Sequence, residues 1–230
     1  MKLLQNIAVI PARKGSIGIK NKNLILIKKK PLIKYTFIES ERSRLINHIF
    51  LTTDDSKIKK LLKEHPKINI INRKKKLCTH KALMNDVIID SIIKIKRILK
   101  IENFNLILLQ PTSPLRKSFH INEAIKLYTK YKIKKTLVSV SEPINHPYES
   151  IYKNKKKQNV FIKKKNTNRQ NLEKLFFVNG NIFISDANYF LKNKSFINKN
   201  TLLYQMSKIY SIELDDLVDL KILNGLLNDF

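Results

Sequence analysis

The chain has 230 residues, 43% of them hydrophobic, and a formal net charge of +28; that is enough to bury one full core in a single medium domain, with no sign of two independent ones. A single cysteine, Cys78, excludes an internal disulfide and suits a reducing compartment, and no uncharged apolar run approaches the ~20 residues of a membrane span. The charge raises nucleic-acid binding or an anionic surface, but the lysines lie in short clusters along the whole chain, such as Lys28 to Lys30 and Lys163 to Lys165, with no RNA-recognition, zinc-finger or helix-turn-helix signature beside them.

The first apolar stretch is broken by Gln5, Asn6 and Pro11 and does not read as a signal peptide. The expectation is a cytoplasmic protein that binds neither nucleic acid nor membrane, its charge serving to speed capture of small anions.

In chain order, Leu3 to Ile10 predicts a strand and Leu32 to Ser43 a helix. His48 to Thr53 predicts a second strand, ended by Asp54-Asp55-Ser56, which starts a helix running to His65. Ile68 to Asn72 reads as a short strand, Ala82 to Leu99 as a long amphipathic helix and Phe104 to Leu109 as a buried strand. Ser118 caps a helix to Tyr131, and Thr136 to Val140 returns to the sheet. Such alternation belongs to an α/β domain with a mainly parallel sheet. From Ser141 to about Phe176 the sequence turns polar and lysine-rich, with β-like pieces at Glu149 to Tyr152 and Asn159 to Ile162, and reads as an insertion projecting from the core. Core structure resumes at Phe177 to Ser185, where Asn179-Gly180 supplies a tight backbone bend, and Asp215 to Leu227 closes the chain as a helix.

Two of only four glycines, Gly15 and Gly18, sit in one loop directly after the first strand. Glycine permits positive φ and close backbone approach. Arg13, Lys14, Lys20 and Lys22 put cationic donors around the same turn, so the loop reads as a triphosphate cradle. No Gly-Lys-Ser/Thr closes it and it is not Gly-x-Gly-x-x-Gly, so it fits neither a P-loop nor a dinucleotide fingerprint. Three further segments fall where ligands collect in open α/β sheets, beyond the carboxyl ends of strands. Gln110, with both donors and an acceptor, stands in the double-proline turn Gln110 to Arg116. Arg73 to Asp86 precedes the long helix. In Ser211-Ile212-Glu213-Leu214-Asp215, strand alternation would send Glu213 and Asp215 to one face; near phosphates such a pair suits Mg²⁺, while Asp215 alone could simply cap the last helix.

The string Pro11-Ala12-Arg13-x-Gly15-Ser16-x-Gly18-Ile19-x-x-Lys22-Asn23, followed by Lys30-Pro31-Leu32-Ile33, resembles the N-terminal signature of the acylneuraminate cytidylyltransferases, the CMP-sialic acid synthetases and their legionaminic and pseudaminic acid relatives. Leu108-Leu109-Gln110-Pro111-Thr112-Ser113-Pro114-Leu115-Arg116 is highly specific to that family, and the order of motifs is preserved along essentially the whole chain. The resemblance implies a Rossmann-like nucleotide-diphospho-sugar transferase fold in one domain spanning 1–230, with 141–176 as a small dimerisation insertion framed by His146-Pro147-Tyr148 and Arg169-Gln170. It also implies Mg²⁺-dependent joining of CTP to a nine-carbon 2-keto-3-deoxy sugar acid by a homodimer.

By the same resemblance Ala12, Arg13, Gly15, Ser16, Lys22, Asn23, Arg73 and Ala82 would bind the nucleotide, with Arg73 reading the base. Gln110, Arg169 and Asn179 would bind the sugar acid, Glu213 and Asp215 the metal, and Arg13, Lys22 and Asp215 would carry catalysis; no residue stands out as a general base. The chain departs from the family pattern at Ile17, Lys74, His80, Leu83, Met84 and Glu213, and His80 alone reads as a surface side chain. Activation of the eight-carbon 3-deoxy-manno-octulosonate, a basic nucleic-acid-binding protein and an inactive paralogue are the other readings.

Overall fold

The structure is a computed structural model that describes residues 4–15, 18–131, 135–156, 159–161 and 172–227. Its centre is a mixed sheet of seven strands. These are β1 (Asn6–Pro11), β4 (His48–Thr53), β5 (Ile68–Asn72), β6 (Asn105–Leu108), β7 (Thr136–Ser141), β10 (Phe177–Asp186) and β11 (Leu202–Gln205), in the spatial order β11-β7-β10-β6-β1-β4-β5. All pairings are parallel except those of β10, which runs antiparallel to both β6 and β7.

The central strands are apolar on both faces because helices cover both. Ala8 and Ile10 of β1 pack with Ile33 and Phe37 of α1 (Leu32–Arg42), Ile58 of α2 (Ser56–Leu61) and Ile121 and Ile125 of α4 (Ser118–Lys130). The alternate residues Ile7 and Val9 pack with Ile88, Ile92 and Ile95 of α3 (Met84–Leu99) and Phe190 of α5 (Ala187–Asn193). The period of two along a strand thus divides one hydrophobic run between two cores. A third cluster joins Leu223 of α6 (Leu217–Leu226) to Ile19, Leu32, Leu115 and Leu214. Among the described residues no helix is long and apolar enough to cross a membrane.

Several expectations are revised. Ser118 is the first residue of α4 and not its cap: its N–H donates to Glu39 Oε2 of α1 at 2.8 Å, so the helix start is satisfied from another element. The preceding Lys117 N–H donates to His120 Nδ1 at 3.1 Å, matching a ring that burial pushes down to about 4. Asn179-Gly180 lies inside the long strand β10, as a bulge: the pairing with β7 shifts register between Val178 and Phe183, and no chain reversal occurs. In the lysine-rich insertion, Pro147–Glu149 is a 3-10 turn; β8 (Ile151–Lys153) and β9 (Asn159–Phe161) form a separate antiparallel ribbon. The short hairpin of β2 (Leu26–Ile27) and β3 (Lys30–Pro31), α5 and β11 have no counterpart in the sequence reading. Residues 211–215 are not a strand: Ser211 ends a 3-10 turn, and the segment is tied to the core by Leu214 N–H donating to the Thr112 carbonyl at 2.8 Å.

At the carboxyl ends of the strands a fully buried guanidinium joins three elements. Arg116, 1% exposed, donates from Nη1 to the carbonyls of Gln110 (3.1 Å) and Asn181 (2.7 Å) and from Nη2 to Thr36 Oγ1 (2.7 Å). Burial pushes its pKa down to about 9, against the charges of Glu213 and Glu39. Removing the side chain would strand two buried acceptors, at Asn181 and Thr36, and a half-buried one at Gln110, at ~1–3 kcal/mol each for the buried ones, and leave a cavity. Arg116→Ala is therefore expected to lose on the order of 3–5 kcal/mol in denaturant unfolding, and Arg116→Lys to recover only part, because an ammonium lacks the planar fork. A loss under 1 kcal/mol for the alanine variant would show that the fork holds nothing together.

Candidate functional site

The first site segment leaves β1 at Pro11. Ala12 is buried and its N–H donates to the Thr52 carbonyl at 3.0 Å, which pins the loop's entry against β4 and keeps Ala12 itself out of the cleft. Gly15 has φ +72°, a conformation other residues adopt at a cost. At Gly18 the need is space: a Cβ there would lie 2.8 Å from the Asp215 carbonyl oxygen. Asn23 folds back to donate from Nδ2 to the Arg13 carbonyl at 3.2 Å, closing the loop on itself. Ser16, together with Ile17, lies outside the described residues.

A cleft of about 390 Å³ opens beyond the strand ends, lined by Arg13, Gly18, Lys22 and Asn23 of this loop and by Gln110, Pro111 and Thr112 after β6. Its opposite wall is the 73–87 segment: Arg73, Leu77, Thr79, His80, Ala82, Met84 and Val87. Arg13, Lys22, Asn23, Arg73, Ala82 and Gln110, picked from three separate stretches of sequence, thus share one cavity. Arg73 is held by two bonds to Thr52, from Nη2 to the carbonyl at 3.0 Å and from Nε to Oγ1 at 3.4 Å. Burial lowers its pKa, and Asp54 opposes that shift.

The carboxylate pair flanks this cleft. Lys22 Nζ lies 2.9 Å from Asp215 Oδ1, with the lysine largely covered and the aspartate 72% exposed. Glu213 accepts from Ser113 Oγ at 3.4 Å and fits against Gly180, whose hypothetical Cβ would stand 1.8 Å from Glu213 Oε1. Burial pushes the Glu213 carboxyl up to about 7, the Asp215 charge adds to this, and Ser113, Arg116 and Lys22 pull the other way. Two mutually repelling carboxylates suit a hard divalent cation, which would share Asp215 with Lys22. Among the described residues no group of three or more His, Cys, Asp or Glu could hold a metal, so such an ion would need oxygens from phosphate or water as well. The capping alternative for Asp215 is answered by its neighbour: Asp216 Oδ1 accepts the N–H groups of Val218 and Asp219, leaving the Asp215 carboxylate to Lys22.

Asn179 is not brought to the cleft. It is 1% exposed, its Oδ1 accepts Ser139 Oγ at 2.6 Å, and its Nδ2 donates to Ser211 Oγ at 2.8 Å. It therefore fixes the β10 bulge and the start of the 211–215 segment from inside. Arg169 lies outside the described residues. Thr79, His80, Met84, Val87 and Thr112 line the cleft without having been singled out for it. Exposed His80 does face solvent, as read, but at the cleft mouth; only its place among the departures from the family pattern marked it.

The chain matches the cytidylyltransferase family over residues 7–228. It is 34% identical over 218 residues to the N-acylneuraminate cytidylyltransferase of Streptococcus agalactiae serotype V, an alignment covering 92% of this chain and 51% of that protein, so the chain spans about half the length of that relative. It is 30% identical over 223 residues to the CMP-N,N'-diacetyllegionaminic acid synthase of Legionella pneumophila, covering 93% and 92% of the two chains. In fold it is similar to the CMP:2-keto-3-deoxy-manno-octonic acid synthetase solved with CTP, at a TM-score of 0.70 and 15% identity over 98% and 99% of the chains. A glycine loop, an arginine-anchored wall and a carboxylate pair, meeting at the strand ends of a sheet with this likeness, agree with the match along its length: the chain belongs to the cytidylyltransferase family.

Proposed function

We propose that this protein activates a nine-carbon 2-keto-3-deoxy sugar acid with CTP, giving the CMP-sugar and pyrophosphate. The observation that carries the reading is the convergence of Arg13, Lys22, Asn23, Arg73, Ala82 and Gln110 on one cleft with Glu213 and Asp215 beside it. The names of the relatives point the same way.

The anomeric hydroxyl of the sugar attacks the α-phosphorus in line; the new P–O bond forms as the bond to the bridging oxygen breaks, and pyrophosphate leaves. Such a transfer depends on positioning and charge neutralisation more than on covalent catalysis. Arg13 and Lys22 hold the phosphates. Arg73, fixed by Thr52, faces the base in the half of the cleft that Leu77, Ala82, Met84 and Val87 make apolar. Gln110 orients the sugar, its backbone locked by Arg116. Glu213 and Asp215 hold Mg²⁺, which when bound neutralises phosphate charge. Arg169, from the projecting insertion, meets the sugar carboxylate across a homodimer axis. Incubation with CTP, Mg²⁺ and a panel of N-acetylneuraminic, legionaminic and pseudaminic acids, followed by pyrophosphate release, tests the reading; no release with any of them rejects it.

Asp215→Ala should lower turnover on the order of 10²–10³-fold, several kcal/mol of lost charge stabilisation, with an unchanged melting temperature because the side chain is exposed. A folded variant with near-normal Mg²⁺-dependent activity would reject the metal assignment.

Nucleotide choice should favour CTP over UTP, by less than the roughly 10⁴-fold open to a site with fully matched polar groups, since Leu83 and Met84, next to Ala82 of the cleft wall, depart from the family pattern. Equal kcat/KM for CTP, UTP and ATP would mean that the Arg73 wall reads no base.

The shared-site arrangement predicts complementation. Arg169→Ala should raise the sugar KM far more than the CTP KM, and mixing Arg169→Ala with Asp215→Ala subunits should regenerate one working site per hybrid dimer. Verified heterodimers with no recovered activity would exclude it.

A further inference from the structure

Two Asp-Asp pairs stand at this end of the sheet, and both divide their labour the same way. In each, the second aspartate caps a helix: Asp55 accepts the Lys57 N–H at 2.8 Å, as Asp216 accepts those of Val218 and Asp219. The first aspartate is left free for the site. Asp215 has been given a role above; Asp54 has not.

Asp54 follows the last residue of β4, and its Oδ1 accepts the backbone N–H of Lys14 at 2.7 Å, a contact 40 residues distant in sequence. Lys14 follows Arg13, which lines the cleft. On its other side the Asp54 charge acts on the Arg73 guanidinium and on the Cys78 thiol, so it reaches the opposite wall as well. Arg13 and Arg73 repel across the same space. A carboxylate beside an anion cradle opposes the ligand by charge alone, so its benefit must lie in what it holds.

We propose that Asp54 is a positioning residue that ties the glycine loop to the end of β4, so that the cradle is already formed when the nucleotide arrives. Accepting Lys14 N–H fixes the loop directly after Arg13. Preformed sites bind more tightly because less ordering is left to binding. The kinetic part of the proposal rests on the cytidylyltransferase reading, whereas the clamp itself does not.

Asp54→Ala and Asp54→Asn separate the two contributions, since asparagine keeps an acceptor oxygen in the same place and removes only the charge. In the free protein, exchange of the Lys14 amide hydrogen should accelerate in the alanine variant and stay near the wild-type rate in the asparagine variant. With substrates, alanine should raise the CTP KM roughly ten- to hundredfold, the effect of losing a bond to a charged acceptor, with the sugar KM unmoved. Asparagine should restore most of the CTP affinity, because its cradle keeps the loop and gains net positive charge. A role in stability alone would lower the melting temperature without this KM split or this rescue. Unchanged Lys14 exchange in Asp54→Ala, or equal acceleration in both variants, overturns the clamp. If the wild type itself turns over no CTP, the functional reading fails while the amide exchange still decides the role of Asp54.

Discussion

The site depends on holding three chain segments at fixed separation where the sheet ends, and the buried guanidinium of Arg116 does this. Its acceptors are the carbonyl of Gln110 after β6, the carbonyl of Asn181 in the β10 bulge and the hydroxyl of Thr36 in α1. Taking an arginine out of water is costly, as the lowered pKa registers. The arrangement is stabilising because the acceptors are themselves buried and would otherwise lack donors. Once fixed, the bulge carries Gly180 against Glu213, and Ser113 of the same double-proline turn donates to that carboxylate. Arg116 therefore sets the distance between the double-proline turn and the carboxylate pair.

Charge within the site is laid out in alternation. Arg13 and Arg73 line one cleft near Asp54, whose Oδ1 accepts the Lys14 N–H, and Lys22 stands against Asp215. Lys22 thus has an anionic neighbour in Asp215, and the Asp54 charge partly offsets the effect of Arg13 on Arg73. The overall charge of +28 acts at longer range and draws in small anions without distinction. It cannot orient them. Orientation falls to the local pairs, whose spacing is set by backbone contacts such as Lys14 N–H to Asp54 and Ala12 N–H to the Thr52 carbonyl.

Much of this was legible in the chain. The strands β1, β4, β5, β6 and β7 follow from apolar runs that must fill two cores at once, and α1 and α3 from their periodicity. The gathering of Arg13, Lys22, Arg73 and Gln110 followed from motif order, because loops at the carboxyl ends of parallel strands converge whatever their separation in sequence. What escaped has a physical reason in each case. The α4 start hides because its satisfying carboxylate, Glu39, comes from 79 residues away. The Asn179-Gly180 bend reads as a turn from its local preference, but a bulge meets the same preference within a continuing strand. Residues 211–215 alternate like a strand, yet with Leu214 bonded to Thr112 they serve as a strap across the turn. Asn179 looks like a polar ligand until its amide is seen to be spent on Ser139 and Ser211.

The scarcity of glycine carries the last step. Of four glycines, Gly225 meets nothing within 4 Å, and the other three all stand at the site. Gly15 and Gly180 both have positive φ, and Gly18 and Gly180 share a further constraint: each would drive a Cβ into the 213–215 strap, one against the Asp215 carbonyl and the other into the Glu213 carboxylate. One comes from the glycine loop after β1 and the other from the β10 bulge. Removing both side chains lets these two surfaces close on the strap from either side, which is how two carboxylates on an irregular segment are held beside the glycine loop. The two glycines where any side chain would collide, Gly18 and Gly180, thus mark the position of the carboxylate pair, by contacts that join segments 197 and 33 residues apart in sequence.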